Sequence, residues 1–225
     1  MIFLLVLTVL NLQKLDVGQI EMKGDSIECS HGVAIEQRYG AFQAERLQMK
    51  LDSHSKPLNM YGEGDLELKL NNGGILKAPF AAFDGIGKVS TWFGTDLFKV
   101  QYADEKKGIE LNCGRLELEL LGEAPWTGRI TALESPEIRT VQGDRVRADE
   151  AVLGGMDAKG TFTAVLLRGG CVLTRPSGDQ IASREVAIDL NHRKATLSGE
   201  STLKIAGDEP RKITSHGTVA LTKET

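Results

Sequence analysis

The chain has 225 residues, enough to bury a substantial core as one domain or two. Its formal charge of −4 includes no run of five Lys or Arg, which argues against nucleic acid as a partner. With only 5% aromatic residues the interior is expected to be aliphatic, and 25 glycines suit a chain of many turns without reaching low complexity. Residues 1–12, MIFLLVLTVLNL, are almost all apolar. That run is short against the roughly 20 residues of a membrane span, but fits the apolar region of an export signal. Residues 1–15 are therefore read as an export signal or a retained membrane anchor, and residues 16–225 as one β domain; the alternative is an unusually apolar first strand.

From Asp16 onward the chain reads as strands and turns. Gln19 to Cys29 and Val33 to Gln37 are expected as the first pair. Beyond them a unit recurs: a small residue, two variable residues, then apolar-variable-apolar. It begins at Ala44, Ala78, Cys113, Ala148 and Ser183, at steps of 34 or 35 residues. The second half of the unit, apolar-variable-glycine, appears at Gly62, Gly94, Gly169 and Gly199. A period near 34 also occurs in helical repeats. Here, however, the apolar spacing inside each unit is two, as in Leu66-x-Leu68-x-Leu70, and such residues cannot share one helix face. Each unit is thus a pair of half-buried strands with a short polar turn, best displayed in Ala182 to Ile205. The pattern weakens from Ala124 to Ser135, where a bulge or longer loop is expected. Ile213 to Leu221 is a candidate edge strand, as is Gln19 to Cys29 at the other end.

On the recurring small-x-x-apolar-x-apolar strand and apolar-x-Gly strand, clearest in Ala182 to Ile205 and Ala44 to Leu70, the chain resembles the OstA-like domain of the LptA/LptC lipopolysaccharide-transport proteins. The resemblance implies an elongated, open β-jellyroll of stacked antiparallel strand pairs. It also implies an apolar slot for the acyl chains of lipopolysaccharide or lipid A, a place in the periplasm with or without an inner-membrane anchor, and like jellyrolls as partners through edge strands. Candidate lining residues are Leu47, Met49, Met60, Leu66, Leu68 and Phe83 in the first half, and Leu116, Leu118, Val186, Ile188, Leu197 and Leu203 in the second. Burying one methylene gives roughly 0.8 kcal/mol, so an aliphatic trough is sufficient to hold an acyl chain. The competing reading of the same residues is an ordinary filled core.

Catalytic and metal chemistry find little footing. His31, His54, His192 and His216 form no H-x-x-x-H arrangement, and Cys29, Cys113 and Cys171 include no C-x-x-C pair. No cofactor motif is present, and no catalytic residue is assigned. Strand carboxylates such as Glu67, Glu117 and Asp149 leave open a β-solenoid carbohydrate enzyme, which would need a carboxylate pair about 5 to 10 Å apart. A self-assembling β scaffold of the envelope is the remaining alternative.

Overall fold

Alternation decides the local structure. In Arg46–Leu51, RLQMKL, every second residue is buried and the intervening ones are exposed, as a strand with one wet face requires. The computed structural model describes residues 14–222 apart from 38–39, 55–56, 71–72, 85–88, 107, 120–128, 157–161, 193 and 208–210. Most of the export-signal or anchor segment, and much of the weak region after Ala124, lie outside the described residues. Among those described the protein is all-β, all its strand pairings are antiparallel, and no helix is long and apolar enough to cross a membrane. Lys14 and Leu15, assigned to the N-terminal segment, open the first strand, and Leu15 is buried.

Packing divides the chain into two compact units, Met1–Lys106 with Arg115–Leu120, and Lys107–Gly114 with Leu121–Thr225. Residues 16–225, expected as one domain, are shared between them. The first unit is a meander of β1 (Lys14–Lys23), β2 (Ser26–Gln37), β3 (Gly40–Ala44) and β4 (Arg46–Leu51), β5 (Pro57–Leu70), β6 (Gly74–Asp84), and β7 (Val89–Phe93) and β8 (Val100–Asp104). Both β3 and β4 pair with β2 on one side and β5 on the other, and both β7 and β8 pair with β6. In the second unit are β9 (Ile109–Cys113), β11 (Arg129–Leu133), β12 (Glu137–Thr140), β13 (Arg145–Arg147), β14 (Glu150–Met156), β15 (Phe162–Thr174), β16 (Gln180–Asp189), β17 (Lys194–Ile205) and β18 (Arg211–Thr222). Strand β10 (Arg115–Glu119) belongs to the first unit and pairs with β7. Among the described residues β1 pairs only with β2, and β18 only with β17, so each is an edge of its own unit.

The 34–35-residue period marks bends, which fall inside one strand at Ala78 and Ser183 and between two successive strands at Ala44, Cys113 and Ala148. The small residue of each unit sits at the bend and is buried: Ala44, Ala78, Cys113, Ala148 and Ser183 are all 7% exposed or less. A strand bending towards its inner face crowds the side chain at the corner, which selects small residues there. Glycine supplies the matching break on the return strand at the expected Gly169 and Gly199, with φ of 74° and 91°. In the first unit the break is at Gly64, with φ of 76°, and not at the expected Gly62, which pairs regularly with Ala81; the expected Gly94 is not at positive φ either. This corrects the first strand pair. Ser30-His31-Gly32 is not the turn between two strands but a bend within β2, with φ of 61° at His31 and 88° at Gly32; the turn is at Gly24 and Asp25. Glu134 and Ser135, both at φ 61°, form the expected irregularity at the end of the weak region.

The interior of the first unit is filled. Phe42, Phe83 and Trp92 pack edge to face with ring centroids 5.6 to 6.2 Å apart, and Trp92 buries its indole while donating to Ser90 Oγ at 3.0 Å. All three cysteines are free and buried, and burial pushes the Cys29 and Cys171 thiols up, away from the reactive thiolate.

Candidate functional site: an apolar trough in the second unit

Among the described residues nothing outside the last four strands and their turns lines the cavity on their inner face. Along these strands directly opposed residues form a row of Leu173, Ile181, Leu203 and Ile213 on one side of the bends. On the other side Val186, Leu197 and Val219 form a second row, with Ile188, Ala195 and Leu221 beside it. Because cross-strand partners share a face, the register makes continuous apolar rows out of residues far apart in sequence. All but Val186 line one cavity of about 1050 Å³. That volume is at the upper end of the range for small-molecule sites. Leu190, Ile205, Ile213 and Leu221 on its walls are 39% to 55% exposed, an apolar patch of the kind that marks a binding surface.

Polar groups near the trough are tied down. At the bend Ser183 Oγ lies 3.0 Å from the Glu185 carbonyl and 3.1 Å from the Ser198 carbonyl, with Ser201 Oγ 3.0 Å away. Since the two carbonyls take the Ser183 hydrogen, Ser201 is left to donate to Ser183, and both hydroxyls are consumed at the corner. At the mouth, Asp179 accepts from the Ala206 amide at 2.9 Å and from Ser177. Asp189 accepts from the His192 amide and lies 2.7 Å from its Nδ1. These bonds hold both carboxyls below their usual range, led by the Ala206 amide for Asp179 and the His192 ring for Asp189. Two charged carboxylates, with Arg175 and Lys194, therefore rim an aliphatic floor. Among the described residues no group of three or more His, Cys, Asp or Glu converges to hold a metal ion. What this arrangement can do is remove a long apolar chain from water while a polar end stays at the rim.

The twelve candidate lining residues separate by environment. Ile188, Leu197 and Leu203 are brought together in the trough. Leu47, Met49, Leu66, Leu116 and Leu118 are at most 6% exposed, in the packed interior of the first unit. Met60, Leu68 and Phe83 are half-buried there, and Val186 is half-buried on β16. Leu173, Ile181, Ile213, Val219 and Leu221 were not among the candidates, although a signal existed for one of them. The position two before each small residue is apolar in all five units, as Phe42, Leu76, Leu111, Val146 and Ile181. Phe42, Leu76 and Leu111 are buried, whereas Val146 and Ile181 are half-exposed, so one sequence position serves a filled core early in the chain and an open trough late in it. Compared with known proteins, the chain matches no protein-family model and no curated sequence, and the function of the trough rests on its chemistry.

Proposed function

We propose that the protein is a periplasmic lipid carrier of the lipopolysaccharide-export type, an open OstA-like jellyroll that holds acyl chains in the trough of β15 to β18 and passes them along like subunits. The observation that carries this reading is a cavity of about 1050 Å³ floored by aliphatic side chains and open along part of its wall. At roughly 0.8 kcal/mol per buried methylene, one fourteen-carbon chain gains on the order of 10 kcal/mol before the costs of ordering it. Among the described residues β1 and β18 are each paired on one side alone, which suits them to strand addition by a neighbouring jellyroll.

The test is lipid capture. Protein isolated from a Gram-negative envelope is expected to carry lipid A-type acyl chains detectable by mass spectrometry, and Leu203→Asp and Ile213→Asp are expected to lose them while circular dichroism stays β-like. A carboxylate placed on the trough floor costs several kcal/mol of transfer unless it protonates or reaches water. Folded Asp variants that retain the same lipid would overturn the assignment.

A further inference from the structure

The outer face of the sheet that floors the trough carries its own constellation. Glu137 on β12, whose side chain is 16% exposed, receives three guanidinium groups through Nε: Arg139 at 2.7 Å, Arg145 at 3.4 Å and Arg147 at 2.7 Å. Burial alone would raise the Glu137 carboxyl, but the hydrogen bonds and charges of Arg139 and Arg147 outweigh it and hold the group below its usual range. The carboxylate thus anchors the cluster at one nitrogen of each arginine and leaves the terminal Nη groups directed at no described protein partner. Three cations over one anion repel one another, and a second anion would relieve the surplus.

Register extends this cluster into a line. Arg139 is opposite Arg145, which is opposite Thr174; Thr174 is opposite Gln180, Gln180 opposite Lys204, and Lys204 opposite Lys212. Leu173, Ile181, Leu203 and Ile213, their neighbours in sequence, point into the trough, so this row lies on the other face. Six strands at about 4.8 Å make a line roughly 24 Å long. Arg139, Arg145, Arg147, Lys204 and Lys212 stand against Glu137 and Glu110, a surplus of three positive charges on a chain whose net charge is −4. The parallel row beside it carries Glu137 and Arg147 at its β12–β13 end and continues without charge through Val172, Ala182, Thr202 and Thr214, so away from the arginine cluster the positive charge narrows to a line. No aromatic residue interrupts it, which removes the stacking surface that single-stranded nucleic acids use.

We propose that this outer face is a binding site for a linear, soluble polyanion, with the Arg139–Arg145–Arg147 cluster gripping one anionic group through Nη and Lys204 and Lys212 following the chain across the sheet. Binding does not use the trough, so the site stands whether or not the trough carries lipid.

The probe is end-labelled linear inorganic polyphosphate, titrated into the full chain by fluorescence anisotropy. Saturable binding at 50 mM salt is expected, weakening steeply by 200 mM because bound cations are released from the polyanion. An Arg145→Gln/Lys204→Gln double variant is expected to lose roughly tenfold in affinity. A Lys50→Gln/Lys77→Gln control, two exposed cations of the first unit, is expected to bind as the parent does. Absence of binding at low salt, equal loss in both double variants, or binding to phosphatidylglycerol vesicles but not to polyphosphate would each overturn the proposal.

Discussion

At the residue scale the bends repeat one device. Glu45 N donates to the Gly64 carbonyl at 3.0 Å, Gly114 N donates to the Glu134 carbonyl at 3.1 Å, and Asp149 N donates to the Gly169 carbonyl at 2.9 Å. In each case the acidic side chain covers the glycine, and a Cβ at Gly64, Gly114 or Gly169 would overlap it. Glycine is therefore required at these corners for space, and at Gly64 and Gly169 for positive φ as well. Gly169 and Gly170 separate the two requirements. Both have positive φ, 74° and 62°, but a Cβ on Gly169 would lie 2.7 Å from Asp149 Cβ, whereas one on Gly170 would meet nothing within 4 Å. Gly170→Ala is expected to cost about 1 kcal/mol of backbone strain. Gly169→Ala is expected to cost that plus a further 1–3 kcal/mol for the displaced neighbour, the difference to be read as a shift in urea midpoint at unchanged slope.

At the element scale the informative strand is β18, which pairs with β17 along its whole length and with nothing else described. Such an edge invites strand addition unless it is blunted. Gly217 at φ 113° is a bend and excludes proline, whose φ is fixed near −65°, so a probe of the free edge belongs elsewhere. Thr214 and Ser215 are successive, with their N–H groups directed to opposite sides of the strand. Of Thr214→Pro and Ser215→Pro, one is expected to remove a ladder bond and lower the melting temperature. The other is expected to leave the fold intact and weaken crosslinking between copies of the chain. If neither variant lowers crosslinking, β18 is not the edge through which copies join.

At the scale of the whole molecule, the same alternating pattern produces two kinds of interior. Leu116 is 1% exposed in the filled core of the first unit, while Leu203 is half-exposed on the trough floor of the second. Leu116→Ala should leave a cavity and cost about 2–5 kcal/mol. Leu203→Ala removes methyl groups already in contact with water and should cost about 1 kcal/mol or less, while lowering acyl-chain affinity. Chemical denaturation and lipid binding on the same two variants check the contrast, which fails if the stability losses are equal.

The strands, their half-buried character and the 34–35-residue period were legible in the sequence, because a two-residue alternation depends only on one face being wet. The resemblance read from that period supplied the idea of an apolar slot. Its location was not legible. Leu76 and Ile181 occupy equivalent positions, two before the small residues Ala78 and Ser183, and which of them meets solvent depends on what covers the inner face: Phe42, Phe83 and Trp92 help to fill the first unit, while no described aromatic side chain lines the trough of the last four strands. The cationic line was likewise invisible, since Arg139, Arg145, Lys204 and Lys212 span more than seventy residues and become neighbours only through register. Period-two patterning, set by each strand's own chemistry, determined that there would be strands and which face would be apolar; pairing between distant strands decided which apolar face is filled, which stays open, and where the charges align.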